Sequence, residues 1–157
     1  MSQFILRQLE DKDIELFKNW LYRPHVALWY EHPLSWISEV EARHTGFSFI
    51  HHYIAENNEE PIGFCQYYEY AYSHENWHGD IKIEGTYSVD YMIGEEKVLG
   101  KGFGKQIVKA LINEIKMIPE AKRIIVQPDS KNNASCCTLL SCGFIFDEKN
   151  EVYLMNL

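Results

Sequence analysis

Val98-Leu99-Gly100-Lys101-Gly102-Phe103-Gly104-Lys105 places three glycines just ahead of an apolar-periodic run. Phe103, Ile107, Leu111 and Ile115 recur every four residues, with Val108, Ala110 and Ile112 beside them. That spacing makes one wide apolar face of a helix. A helix entered through a glycine-rich turn presents free backbone N–H groups and the positive end of its dipole. Glycines also remove the side chains that would hold a phosphate away from the backbone. The stretch reads as a pyrophosphate cradle; its glycines alone are equally those of a structural turn. It is not a Walker loop, because no Gly-Lys-Ser/Thr follows at the required spacing. Nor is it a dinucleotide fingerprint, since the next strand ends at Gln127-Pro128 and not at an acidic residue.

Working outward, Thr86 to Ile93 reads as the strand before the cradle, with Tyr87, Val89, Tyr91 and Ile93 on one face and Ser88, Asp90 and Met92 on the other. Pro119 closes the helix after the cradle, and Arg123 to Val126 is a short buried strand. Asn132 or Asn133 caps a last helix, with Gly143 at its C′ position. Phe144–Phe146 and Val152–Met155 flank an Asp-Glu-Lys-Asn turn and form a terminal hairpin. Upstream, Phe4 to Leu9 is a first strand. Asp11 or Asp13 caps a helix running to about Tyr22, with Ile14, Phe17, Trp20 and Leu21 inward. Arg23-Pro24 breaks that helix, His25 to Tyr30 is an aromatic helical turn, and Pro33 starts another helix, to about Arg43. Phe49–Glu56 and a strand from Pro61 to about Tyr72 form a hairpin across Asn57–Glu60. Ser73 to Glu84 is a polar loop. The sum is one domain over 1–157, an α/β fold with a mixed, mostly antiparallel sheet and helices on its faces.

The chain has 157 residues, enough for a sizeable core. Its formal charge of −8 argues against nucleic acid, which needs a basic footprint. The same charge suits a small cationic substrate, or a solubilising surface. No apolar run approaches the roughly 20 residues that span a membrane. The opening Met1-Ser2-Gln3-Phe4 lacks the pattern of a signal peptide, so a cytoplasmic protein is expected. Cys65, Cys136, Cys137 and Cys142 lack zinc-ligand spacing and read as free thiols. His51 and His52 fall on opposite faces of a strand and make a poor metal pair. No metal is expected.

The order of elements resembles the GCN5-related N-acetyltransferase (GNAT) superfamily, and within it the aminoglycoside 6′-N-acetyltransferases. The resemblance covers nearly the whole chain. It rests on Trp20-Leu-Tyr-Arg-Pro-His25-Val-Ala-Leu-Trp29-Tyr30, Glu60-Pro-Ile-Gly63-Phe-Cys-Gln66, Ser88-Val-Asp90-Tyr-Met-Ile-Gly94 and Leu99-Gly-Lys-Gly-Phe-Gly104, with ten residues from Asp90 to Gly100. It implies a splayed strand pair that binds acetyl-CoA, the co-substrate. It implies that amides of Leu99, Gly100, Lys101, Gly102, Phe103, Gly104 and Lys105 hold the CoA pyrophosphate. Backbone groups of Met92 and Ile93 would pair with the pantetheine arm, near Asn132. Asp90 would face the acceptor amine, and its position in an apolar strand independently calls for a partner. Two positions depart from the superfamily pattern. Leu139 stands where many members carry a tyrosine that protonates the leaving thiolate. Gln127 stands where a second acidic residue is expected.

The expected reaction is direct attack of an amine on the acetyl-CoA thioester in a ternary complex. Asp90 orients the amine and takes its proton, a backbone N–H near Met92 stabilises the oxyanion, and positioning supplies much of the rate. Water or the Ser88 hydroxyl would protonate the thiolate. Trp29, Tyr30, Tyr67 and Tyr68 would wall the acceptor pocket, with Gln66 as a polar contact. The expected partners are acetyl-CoA and a small amine, on a monomer or homodimer. Gln127 and Leu139 keep two alternatives open: another amine as acceptor (a siderophore precursor, a polyamine or a protein N-terminus), or a non-catalytic acyl-CoA-binding sensor.

Overall fold

The computed structural model describes residues 3–157. Its strands are β1 (Phe4–Gln8), β2 (Ile50–Asn57), β3 (Glu60–Glu69), β4 (Thr86–Ile93), β5 (Arg123–Val126), β6 (Ile145–Asp147) and β7 (Val152–Asn156). Its helices are α1 (Ile14–Leu21), α2 (Pro24–Ala27), α3 (Pro33–Glu41), α4 (Phe103–Lys116) and α5 (Asn133–Ser141). Hydrogen-bonded strands follow the order β1-β2-β3-β4-β5-β7-β6. β1/β2, β5/β7 and β6/β7 are antiparallel, whereas β4/β5 is parallel. This is the mixed, mostly antiparallel α/β architecture expected from the sequence. No helix among the described residues is long and apolar enough to cross a membrane.

The chain packs as two compact units. The first holds the chain up to Gln66 together with Tyr91–Phe103; the second holds Tyr67–Asp90 and Gly104–Leu157. In the first, α1 packs on α3, and Phe17, Trp20, Leu21, Val40, Ile54 and Phe64 are buried together. Phe17 meets Phe64 with ring centroids 4.4 Å apart. In the second, Tyr70, Ile125 and Val152 form a core against which Trp77 and Leu154 pack, and α4 buries Ile107, Val108, Leu111, Ile112 and Ile115 as its periodicity requires.

Two local expectations are corrected. β3 ends at Glu69 and not at Tyr72, because Tyr70–Tyr72 curls into a 3-10 turn. The Tyr70 ring is buried, and its hydroxyl accepts the Trp77 N–H at 2.8 Å, so it is the post around which the following loop folds. Asp13 serves its helix from within. Its carboxylate accepts the Glu10 N–H at 2.8 Å and the Nη1 and Nη2 donors of the Arg7 guanidinium, each at 2.7 Å.

His52 sits on the buried face of β2. Burial pulls its imidazole down to about 4, against an ordinary 6.5. The folded protein therefore keeps it neutral where the unfolded chain has already bound a proton. Stability falls as pH drops from 6.5 towards 4, by about 3 kcal/mol in total from this residue. Urea melts across that range should show a shallower pH slope in His52→Gln; an unchanged slope would mean the ring is not held neutral.

Candidate active site

The second half of β4 is organised by which way its backbone points. The Gly94 N–H donates to the Ile62 carbonyl at 2.8 Å. The Met92 carbonyl approaches Gly63 so closely that a Cβ there would lie 2.4 Å from it. Even-numbered residues of β4 thus turn their backbone groups towards β3, and odd-numbered residues turn theirs to the other edge. The parallel ladder to β5 pairs Thr86 with Arg123 and Tyr87 with Ile124, and Ile125 and Val126 pair with β7.

Side chains from α1 and α2 fix the end of this strand. Tyr30 donates its hydroxyl to the Tyr91 carbonyl, and a His25 ring nitrogen meets the Ile93 carbonyl at 2.9 Å. Arg23 donates to the Gly94 carbonyl at 3.1 Å and pairs with Glu95 at 3.3 Å. Trp20 donates its indole N–H to Glu95 at 2.6 Å. Tyr30 also packs on Trp36, with centroids 4.8 Å apart. Trp29 beside it is half-buried. Of the two residues read as pantetheine partners, Met92 turns its carbonyl towards Gly63 and its side chain into the core, and the Ile93 carbonyl meets His25. Gln66, read as a substrate contact, is buried beside His52.

In the second unit, Tyr68, Ser88 and Asp90 come together. Tyr68 is buried and donates to Glu75 at 2.6 Å. Its hydroxyl is held protonated far above the ordinary tyrosine range, first by burial and then by the carboxylates of Asp90 and Glu75. It is therefore a hydrogen-bond donor and not an acid at neutral pH. Ser88 is buried against the same hydroxyl. Tyr67 packs on Tyr87, with centroids 6.3 Å apart. Glu75 was not read as a site residue. It lies in a polar loop without periodicity, and only the fold of that loop around Tyr70 brings it to Tyr68.

The glycine-rich stretch has the conformation that needs glycine. Gly100 and Gly102 sit at φ 74° and 85°, and a Cβ on either would meet no atom within 4 Å. The stretch from Leu99 to Gly102 is exposed, and α4 begins at Phe103. The first N–H groups of that helix have no intrahelical acceptor, so an exposed turn whose Gly100 and Gly102 carry no side chain leads onto free donors. Asn132 caps α5, its Oδ1 accepting the Ser135 N–H at 3.1 Å. Leu139 is fully buried in α5. Gln127 is exposed and donates to the Glu151 carbonyl at 3.0 Å. No group of three or more His, Cys, Asp or Glu among the described residues is placed to hold a metal. All four cysteines are free.

The family model for the acetyltransferase (GNAT) domain matches residues 10–152. The chain belongs to the GNAT acetyltransferase family. This GNAT protein is 28% identical over 145 residues to aminoglycoside N(6′)-acetyltransferase type 1 of Klebsiella pneumoniae, covering 88% of its own length and 72% of that relative. Its fold matches the crystal structure of the aminoglycoside acetyltransferase AAC(6′)-Ib in complex with coenzyme A and kanamycin. There the TM-score is 0.81 at 23% identity, over 98% of this chain and 95% of the other. The aminoglycoside N(6′)-acetyltransferase of Legionella pneumophila subsp. pneumophila matches with a TM-score of 0.73 at 21% identity, over 98% and 91%.

Proposed function

We propose that this GNAT protein transfers the acetyl group of acetyl-CoA to the 6′-amine of an aminoglycoside. The observation that carries the reading is the family match together with Gly100 and Gly102 at positive φ on the exposed approach to α4. In this reading the CoA pyrophosphate rests on amides from Leu99 to Lys105, a backbone group of Ile93 pairs with the pantetheine arm, and Asn132 is the asparagine that the family places at that arm. A backbone N–H of this part of β4 receives the thioester oxygen as it becomes an oxyanion. The acceptor amine, neutral when it attacks, is held by Asp90. Its nitrogen bonds to the acetyl carbon, the C–S bond breaks, and the surplus amine proton passes to Asp90 directly or through one water. Leu139 offers no proton, and none is needed from the protein. A thiol with a pKa near that of cysteine, about 8.5, leaves as thiolate and takes its proton from solvent. Trp29, Tyr30, Gln66 and Tyr68 complete the acceptor side.

An aminoglycoside is a polycation, and the chain's charge of −8 suits it. Gln127 cannot supply a second carboxylate, but Glu75, hydrogen-bonded to Tyr68, can. Glu75→Gln should raise KM for the aminoglycoside about two- to fivefold with kcat unchanged, the size of one exposed ion pair. An unchanged KM would remove Glu75 from the site. Gly102→Glu should weaken CoA binding by about tenfold or more, since it strains a positive φ and sets a carboxylate against the pyrophosphate. Unchanged binding in calorimetry would remove the cradle assignment.

The acceptor is tested by comparing kcat/KM for kanamycin, spermidine and a peptide N-terminus. A preference of at least about a hundredfold for kanamycin supports the reading. A preference for another amine moves the protein to a different acceptor within the same chemistry. The buried Leu139 favours a second reading, an acyl-CoA sensor, which predicts acetyl-CoA binding without turnover on any of these amines.

A further inference from the structure

At the end of β1, where the Leu9 N–H still reaches the His52 carbonyl at 3.1 Å, a cavity of about 260 Å³ opens within the first unit. Gln8, Arg43, His44, Ser48, His51 and His52 are among its lining residues, and no Asp or Glu lines it among the described residues. In a chain with 23 acidic and 15 basic residues, that segregation stands out. None of the residues assigned above to acetyl transfer lines this cavity.

Two lining side chains are more than nine-tenths buried and carry nitrogens that make no hydrogen bond of ordinary geometry, although Gln66 lies beside the His52 ring. Arg43 has a side-chain exposure of 9%. Its Nη1 donates to the Val40 carbonyl at 2.9 Å and its Nη2 pairs with Asp11, but its Nε is buried with no hydrogen-bond partner. His52 is 4% exposed, and neither ring nitrogen meets hydrogen-bond geometry with any described residue. The Arg43 charge acts directly on the His52 ring, so the two lie close together. Asp11, which pairs with Arg43, is 90% exposed. Water screens it, which leaves the buried side of the guanidinium electropositive. Unpaired buried donors are costly, and a guanidinium N–H beside an imidazole N–H matches the two oxygens of an oxyanion.

We propose that this cavity binds a small oxyanion, a carboxylate or a phosphate, which accepts from Arg43 Nε and a ring N–H of His52, with the Ser48 hydroxyl at the rim. The volume corresponds to about eight waters at roughly 30 Å³ each, so acetate or inorganic phosphate fits and a nucleotide does not. The site is separate from the acetyl-transfer reading and stands if that reading fails.

The test is an imidazole NMR titration of the whole protein at pH 7 and fixed chloride, once with sodium acetate and once with sodium phosphate. The His52 signal is assigned by its loss in His52→Gln. The expected result is a saturable shift of His52 with at least one of the two anions, weakened by about tenfold or more in Arg43→Lys. Saturation with acetate alone identifies a carboxylate ligand, and with phosphate alone a phosphorylated one. A linear drift common to all seven histidines, or an equal response in Arg43→Lys, would overturn the proposal and leave the cavity to water. If Arg43→Lys does not fold, the wild-type titration decides: saturation upholds the site and its absence removes it.

Discussion

Asp90→Asn is expected to lower kcat by about 10²- to 10⁴-fold, the range of a lost general base, while the Kd for acetyl-CoA stays within about twofold of wild type. The asymmetry follows from position. Asp90 lies on β4 two residues before Met92 and ten before Gly100, so its carboxylate is removed from the pyrophosphate cradle along the chain. Asparagine keeps the volume and one carbonyl acceptor, so β4 and the buried Tyr68 beside it retain their packing. What disappears is the charge that holds a cationic acceptor and takes its proton. Stopped-time thiol release and acetyl-CoA calorimetry on the same preparation measure the two numbers. A mutant with wild-type kcat would remove Asp90 from the chemistry, and a parallel loss of acetyl-CoA binding would make its role structural.

Gly94→Ala is expected to destabilise the protein by about 3 kcal/mol or more. A Cβ at this position would lie 2.1 to 2.3 Å from three carbons of the Trp20 indole. Trp20 has no room to give, because it is fully buried and its N–H is tied to Glu95 at 2.6 Å. Overpacking a dense core costs about 1–3 kcal/mol and occasionally more, and displacing the indole also removes its bond to Glu95, a charged hydrogen bond of about 1.5–3 kcal/mol, leaving that carboxylate to Arg23 alone. Urea melts of the two proteins measure the difference. Because Gly94 ends the strand that Arg23, His25 and Tyr30 hold by its carbonyls, the activity of Gly94→Ala should fall with its stability. A variant as stable as wild type would contradict the packing of Trp20 on Gly94.

Much of this arrangement was legible in the residues. Thr86 to Ile93 reads as a strand and is β4 to the residue, although burial on both of its faces removes the in–out alternation. The glycines and the apolar run placed the start of α4, because only a helix satisfies an i, i+4 apolar pattern of that length. Asn132 as a cap followed from its short acceptor side chain. Other features depend on approaches that no local pattern encodes. Tyr68-Glu69-Tyr70-Ala71-Tyr72 keeps the composition of a strand, yet the hydrogen bond from Trp77 to Tyr70 curls it. Tyr30 reads as a wall of the acceptor pocket and His25 as part of an aromatic turn, but their polar atoms meet the Tyr91 and Ile93 carbonyls of β4. That the Met92 carbonyl turns towards Gly63 follows from the pairing of β4 with β3. Arg43 and His52 are nine residues apart in sequence, but the cavity they share with Gln8 and Leu9 appears only when β2 passes the end of β1.

The most direct measurement is thiol release from acetyl-CoA on adding kanamycin to the purified wild-type protein, with the mass of the antibiotic read in the same reaction. The account predicts one thiol released per acetyl group gained by kanamycin, with release near background when kanamycin is omitted. Acetyl-CoA that binds but releases no thiol with kanamycin would contradict it.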